Sequence, residues 1–169
     1  MLGLIEAVRR NHALEHGTVS VLLARLGPSL RLAGRAAPDG FFIIGNVAEE
    51  PLREAATEAL ARMRGGEADL AVTPLCGTNI AVAALLASLA TFVSLGRPAS
   101  ARRLPNAVAA SMIALVLAQP VGRLVQKYLT TSPRVEGLEL EGIRARRVRG
   151  LNVYRVRTRW RSSGAAEGA

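Results

Sequence analysis

Two histidines occur in the 169 residues of this chain, and both fall within His12-Ala13-Leu14-Glu15-His16. On a helix the H-x-x-E-H spacing sets two imidazoles one turn apart with a carboxylate on the same side. That is the arrangement by which the inverted zinc-peptidase motif binds a metal and supplies a base. Steps of three and four through Ile5, Val8, His12, Glu15, Val19, Leu23 and Leu26 trace one stripe, and His12, Glu15 and His16 lie within a wedge of about 100° on it. Three polar groups turned inward must be hydrogen-bonded, neutralised or bound to a cation. The competing reading is an ordinary satisfied ion pair, which uses the same one-turn spacing.

Cys76 is the second chemical feature, in Thr73-Pro74-Leu75-Cys76-Gly77-Thr78-Asn79 just before an apolar run. Thr78 or Asn79 is the expected N-cap of the following helix, and a thiol beside a helix start has a lowered pKa. Two histidines and one cysteine make an accepted catalytic zinc set with an open fourth position. His12, His16 and Cys76 are therefore the candidate zinc ligands and Glu15 the candidate general base, with Asn11, Thr78 and Asn79 in support. The alternative for Cys76 is an inert small apolar residue.

The elements that must position these groups follow from periodicity and breakers. Residues 3–26 read as one helix ended by Gly27-Pro28, with Gly17 inside it as a point of close packing. Residues 30–33 and 41–47 flank Pro38-Asp39-Gly40 as a hairpin. Residues 49–63 read as a second helix, acidic at its start and basic near its end, and residues 69–73 as a short strand. Residues 1–73 thus form an α+β unit.

The composition then changes. Residues 74–96 and 104–122 carry no charge, and each run is long enough to cross a hydrocarbon core of about 30 Å. A transmembrane helical hairpin over 74–125 is expected, against the alternative of a buried hairpin in a soluble domain. Half of the residues are apolar, with three Phe, two Tyr and one Trp, so the segments are rich in Ala, Leu and Val, as close helix packing favours. Arg62, Arg64, Arg123, Lys127 and Arg134 flank the hairpin on one side and Arg97, Arg102 and Arg103 lie in its connection. The positive-inside rule places both termini in the cytoplasm. No secretory signal is evident at the start, and a single cysteine rules out an internal disulfide.

Residues 126–161 read as an Arg-rich β-hairpin, with strands at 138–149 and 151–161 turning at Arg149-Gly150, and residues 162–169 as a disordered tail. Arg155, Arg157, Arg159 and Arg161 alternate with Tyr154, Val156, Thr158 and Trp160, giving one cationic and one apolar face. With a net charge of +9, that strand suggests contact with anionic lipid, against the alternative of a charge-protected edge strand. Nucleic acid is disfavoured because aromatics are few. The expected fold class is α+β with a transmembrane helical hairpin, in the order helix, β-hairpin, helix, strand, two membrane helices, β-hairpin.

The run from Arg9 to His16, the strand Gly40-Phe41-Phe42-Ile43-Ile44-Gly45 and Cys76-Gly77-Thr78-Asn79 before an apolar hairpin together resemble a domain-of-unknown-function family of small bacterial two-span membrane proteins. The likeness runs from about residue 8 to about residue 132. It implies architecture and site but no reaction. Locally, H-x-x-E-H is similar to that of pitrilysin-type peptidases, which take a downstream glutamate as third ligand; no acidic residue lies here between Asp69 and Glu136. It also resembles the S-ribosylhomocysteine lyases, which pair the motif with a downstream cysteine, as His12, His16 and Cys76 would.

Three functions follow as expectations. One is a zinc hydrolase of the bacterial cytoplasmic membrane, acting on a peptide or protein substrate. Another is a non-catalytic metal or redox sensor. The last is an adaptor that binds anionic lipid or a protein partner through Arg155, Arg157, Arg159 and Arg161. Any of these is compatible with a homo-oligomer.

Overall fold

The computed structural model describes residues 2–97 and 100–161; the tail expected at 162–169 lies outside them. Its elements are α1 (Leu2–Leu26), β1 (Leu32–Ala37), β2 (Gly40–Gly45), α2 (Glu49–Arg64), α3 (Gly77–Leu95), α4 (Leu104–Val125), β3 (Leu138–Val148) and β4 (Leu151–Trp160). The fold is α+β, with four α-helices and a four-stranded antiparallel sheet. The chain divides into two compact units: residues 1–72 with 130–169, and residues 73–129.

In the first unit the sheet order is β1-β2-β4-β3, so the C-terminal hairpin extends the same sheet as the N-terminal one. Both turns are set by local chemistry. Pro38-Asp39 lies between the paired Ala37 and Gly40; Gly40 has φ of 140°, and a Cβ there would strike the carbonyl oxygen of Val156. Arg149 and Gly150 have φ of 49° and 84°, the two positive angles that a type I′ hairpin turn requires. The alternation expected of β4 is present: Tyr154, Val156 and Thr158 are buried while Arg155 and Arg159 are exposed.

Helices α1 and α2 form the second layer. Gly17 lets them approach closely: a Cβ there would lie 3.2 Å from Ala59 Cβ and 3.5 Å from Met63 Sδ. The core joins Leu14, Val21 and Leu22 of α1 to Leu52 and Ala56 of α2 and to Phe41, Ile43 and Val156 of the sheet. The expected α1 stripe is corrected by this packing: Ile5 and Leu26 are 57% and 47% exposed. Flanked by both hairpin strands and α2, α1 is instead buried almost all round over residues 13–18. A second correction concerns residues 69–73. They do not form a strand; Ala68–Ala71 is a 3₁₀ turn, whose Leu70 packs against Gly17.

The second unit is an α3–α4 hairpin. Ala107, Ala114, Ala118 and Gly122 are the buried residues of α4, a narrow stripe of small side chains that lets two backbones approach closely. Thr91 and Ser111 hydroxyls hydrogen-bond between the helices at 2.7 Å. The outward surface is apolar: Ile80, Val93 and Val116 are more than 70% exposed. Both helices are long and apolar enough to cross a membrane, and a continuous apolar exterior of this kind is unfavourable in water. The protein is expected to remain with the membrane pellet after alkaline carbonate extraction and to dissolve in detergent. Release by carbonate alone would show that α3 and α4 do not span.

Candidate metal centre

Over residues 11–18, α1 carries the polar groups that its sequence turned inward. His12 and His16 stack edge to face, with ring centroids 4.3 Å apart and planes at 62°. Each ring is held by a main-chain carbonyl. His12 Nδ1 is 2.9 Å from Thr130 O, and His16 Nδ1 is 2.8 Å from Ala71 O. A carbonyl oxygen only accepts, so in each ring Nδ1 donates the proton, and in the neutral imidazole Nε2 then carries the lone pair. That is how metal-binding histidines are oriented by their surroundings.

Glu15 completes the triad. It is 7% exposed, and its Oε2 lies 3.9 Å from His12 Nε2, beyond hydrogen-bond length. The sheet makes room for this carboxylate at Gly34 of β1, where an added Cβ would overlap Glu15 Oε1. Asn11, expected in support, is 1% exposed and holds the frame. Its Nδ2 donates to Ala37 O at 2.8 Å and Pro38 O at 3.1 Å, while its Oδ1 accepts from Thr158 Oγ1 at 2.7 Å. Asn11 therefore fixes α1 against the first turn and β4.

One turn earlier, α1 clamps the chain where it re-enters this unit. Arg9 donates to Thr131 O at 2.9 Å, Ser132 N donates to Arg9 O at 3.0 Å, and Ser132 Oγ donates to Glu6 Oε1 at 2.7 Å. Partial burial raises the Glu6 pKa, but the Ser132 hydrogen bond and the charges of Arg9, Arg10 and Arg134 outweigh it and hold the carboxyl below its ordinary value. Thr130 is thereby anchored beside His12.

In the second unit Cys76 is itself the N-cap of α3, a position expected of Thr78 or Asn79. It is 6% exposed, and its Sγ accepts from Thr78 N at 3.4 Å. Asn79 instead shapes the preceding turn, donating to Thr73 O at 3.2 Å and Pro74 O at 3.0 Å. Gln126 closes this knot through Thr73 N, Thr73 O and Asn79 Oδ1, and Gly122 leaves the space, since a Cβ there would overlap Asn79 Oδ1.

The structure thus brings His12, Glu15 and His16 together, and gives Asn11 and Asn79 backbone-holding roles. Sequence reasoning missed Gly34 and Gln126. An isolated glycine within a strand pattern does mark close approach of another group, and that signal was present at Gly34. The two carbonyls that orient the histidines left no trace in the sequence.

The arginine face of β4 carries its own counter-charges. These side chains do not face one another uncompensated. Arg155 pairs with Asp39, Arg157 and Arg159 with Glu141 at 3.7 and 3.5 Å, and Arg161 with Glu139 at 2.8 Å.

Comparison with known proteins gives a family and no reaction. Residues 7–143 match the model of a family described as a domain of unknown function, DUF6391. An uncharacterised protein of the cyanobacterium Picosynechococcus sp. is 35% identical over 167 residues, covering 92% of this chain and 81% of the relative. No solved structure matches.

Proposed function

The chain belongs to the DUF6391 family, and from that premise we propose that it is a small integral membrane protein in which His12, His16 and Cys76 hold one zinc ion and Glu15 makes the site a hydrolase. The observation that carries this reading is the orientation of both imidazoles, each with Nδ1 tied to a main-chain carbonyl and Nε2 as the donor atom. Two histidines and a cysteine are a donor set that could hold a metal ion. Chain connectivity supports the third ligand. The carbonyl that His16 engages belongs to Ala71, and Cys76 follows five residues later, a reach of at most about 18 Å. The Sγ of Cys76 already accepts a main-chain N–H at a helix start.

A bound zinc ion supplies Lewis acidity. Glu15, buried on the same helix face, receives and returns the proton of the attacking water. Its carboxylate is held against Gly34 rather than in solvent, which keeps it in place for that transfer. The substrate class is a peptide or amide at the membrane face, and the positive-inside rule puts both termini of the chain in the cytoplasm.

Glu15→Gln removes the base and leaves both imidazoles and the thiol. Protein carrying this change should retain about one zinc per chain and lose about 10²–10⁴-fold in turnover, the range for a general base. Peptides released from a bacterial membrane extract, identified by mass spectrometry, supply the activity readout. Equal peptide release by wild type and Glu15→Gln would remove the hydrolase from the reading and leave a metal-binding or sensing protein.

A further inference from the structure

The cations left over by the ion pairs of β4 lie elsewhere on the same sheet. Arg35, Arg144, Arg146, Arg147 and Arg149 are exposed, and among the described residues none has a carboxylate within ion-pair distance. The strand register gathers Arg35, Arg144 and Arg146 on one face. Arg35, Phe42, Arg155 and Arg144 form one row across all four strands, and Ala33, Ile44, Val153 and Arg146 form the next row on the same face. Arg144 stands directly opposite Arg155, a like-charge pair that is destabilising in isolation.

Pairing of β2 with β4 stops at Ile44 and Val153, whereas β3 and β4 stay paired to Val148 and Leu151. The hairpin end therefore projects past β2. Its tip presents two aliphatic side chains, Val148 and Leu151, 44% and 53% exposed, between Arg146, Arg147 and Arg149. Exposed aliphatic residues ringed by guanidinium groups suit the boundary between lipid headgroups and acyl chains. Base stacking needs open aromatic faces. Phe42, the aromatic of this surface, is half-buried and lies under the Arg155 guanidinium at 5.3 Å.

We propose that the β3–β4 hairpin tip, with Arg144, Arg146, Arg147 and Arg149 as its cations, docks on an anionic lipid surface. This moves the lipid contact from the paired arginines of β4 to the unpaired ones of β3 and its turn. It rests on the reading of α3 and α4 as membrane spans, which tethers the unit carrying the sheet to a bilayer through the chain.

The test uses the full chain incorporated in neutral phosphatidylcholine nanodiscs, mixed with vesicles of phosphatidylcholine alone or with about 30% phosphatidylglycerol, and read by flotation. At about 0.05 M salt, binding to anionic vesicles should exceed binding to neutral ones by at least about tenfold, and it should be lost near 0.5 M, where the Debye length shrinks to a few ångströms. The fourfold variant Arg144→Gln, Arg146→Gln, Arg147→Gln and Arg149→Gln should lose at least about tenfold. Arg157→Gln with Arg159→Gln should stay within about twofold, and unchanged thermal midpoints show that both variants are folded. Val148→Ser with Leu151→Ser is a smaller change at the same tip, and it should weaken binding with all charges intact. Equal binding to both vesicles, or loss confined to the Arg157 and Arg159 variant, overturns the proposal while leaving the membrane reading intact. Tighter binding to a single-stranded oligonucleotide than to anionic vesicles also overturns it, in favour of nucleic acid. A chain that stays soluble without detergent and does not enter nanodiscs overturns the membrane reading, and the proposal with it.

Discussion

His16→Ala should abolish zinc binding and, with it, the response of stability to zinc. His16 is 2% exposed, its Nδ1 is engaged by Ala71 O, and its Nε2 is the proposed zinc donor. With the imidazole gone, two donors remain of the proposed three, too few for the tetrahedral site that zinc favours. For wild-type protein in detergent, zinc at 100 times its Kd should raise unfolding free energy by about 2.7 kcal/mol, and a chelator should reverse the gain. For His16→Ala the gain should vanish. The variant also loses the hydrogen bond to Ala71 O, a destabilisation of about 1–3 kcal/mol that is present with or without zinc. Thermal melts with zinc and with chelator separate the two effects. A purely structural cluster would show the second alone, with a wild-type midpoint that ignores both additives.

Gly34→Ala is the other change of large expected effect. A single methyl at this position overlaps the Glu15 carboxylate, so this buried side chain must shift to admit it. Overfilling of this kind costs about 1–3 kcal/mol, and displacing a buried carboxylate from its surroundings adds to it. Thermal unfolding should register the loss. Catalytic turnover should fall as is expected of Glu15→Gln, since the proposed base is displaced while both imidazoles remain. Combining Gly34→Ala with Glu15→Ala should recover most of the stability, because the second change vacates the space that the first one fills. Additive losses in the double variant would show that Gly34 is constrained by something other than Glu15.

The parts of this protein that were legible in its sequence are those fixed by local spacing. The cluster at His12, Glu15 and His16 follows from helical periodicity once the helix is recognised. Gly17 announced the α1–α2 contact because a glycine in a helix interior needs a reason. Arg149-Gly150 and Pro38-Asp39-Gly40 marked both hairpins, and the charge-free runs marked α3 and α4. What was not legible depends on residues distant in the chain. Residues 69–73 read as a strand because a short apolar run has no period to distinguish it from a turn; packing of Leu70 on Gly17 decided the matter. The face of α1 was misjudged because a helix enclosed on nearly all sides has no single stripe. The pairing of Arg157 and Arg159 with Glu141 depends on the register of β3 against β4, including its irregularity between Leu140 and Gly142, which alternation alone does not fix. The carbonyls of Ala71 and Thr130 are main-chain groups, and no residue type encodes where a main-chain oxygen will point.

The central claim is that two histidines and one cysteine of this chain hold zinc. X-ray absorption at the zinc edge, on protein purified without a polyhistidine tag, tests it most directly. The expected result is about one zinc per chain, with two nitrogen donors at about 2.0–2.1 Å and one sulfur donor at about 2.3 Å, the sulfur shell disappearing in Cys76→Ser. Metal at background level, or a first shell of oxygen and nitrogen alone in the wild type, would contradict it.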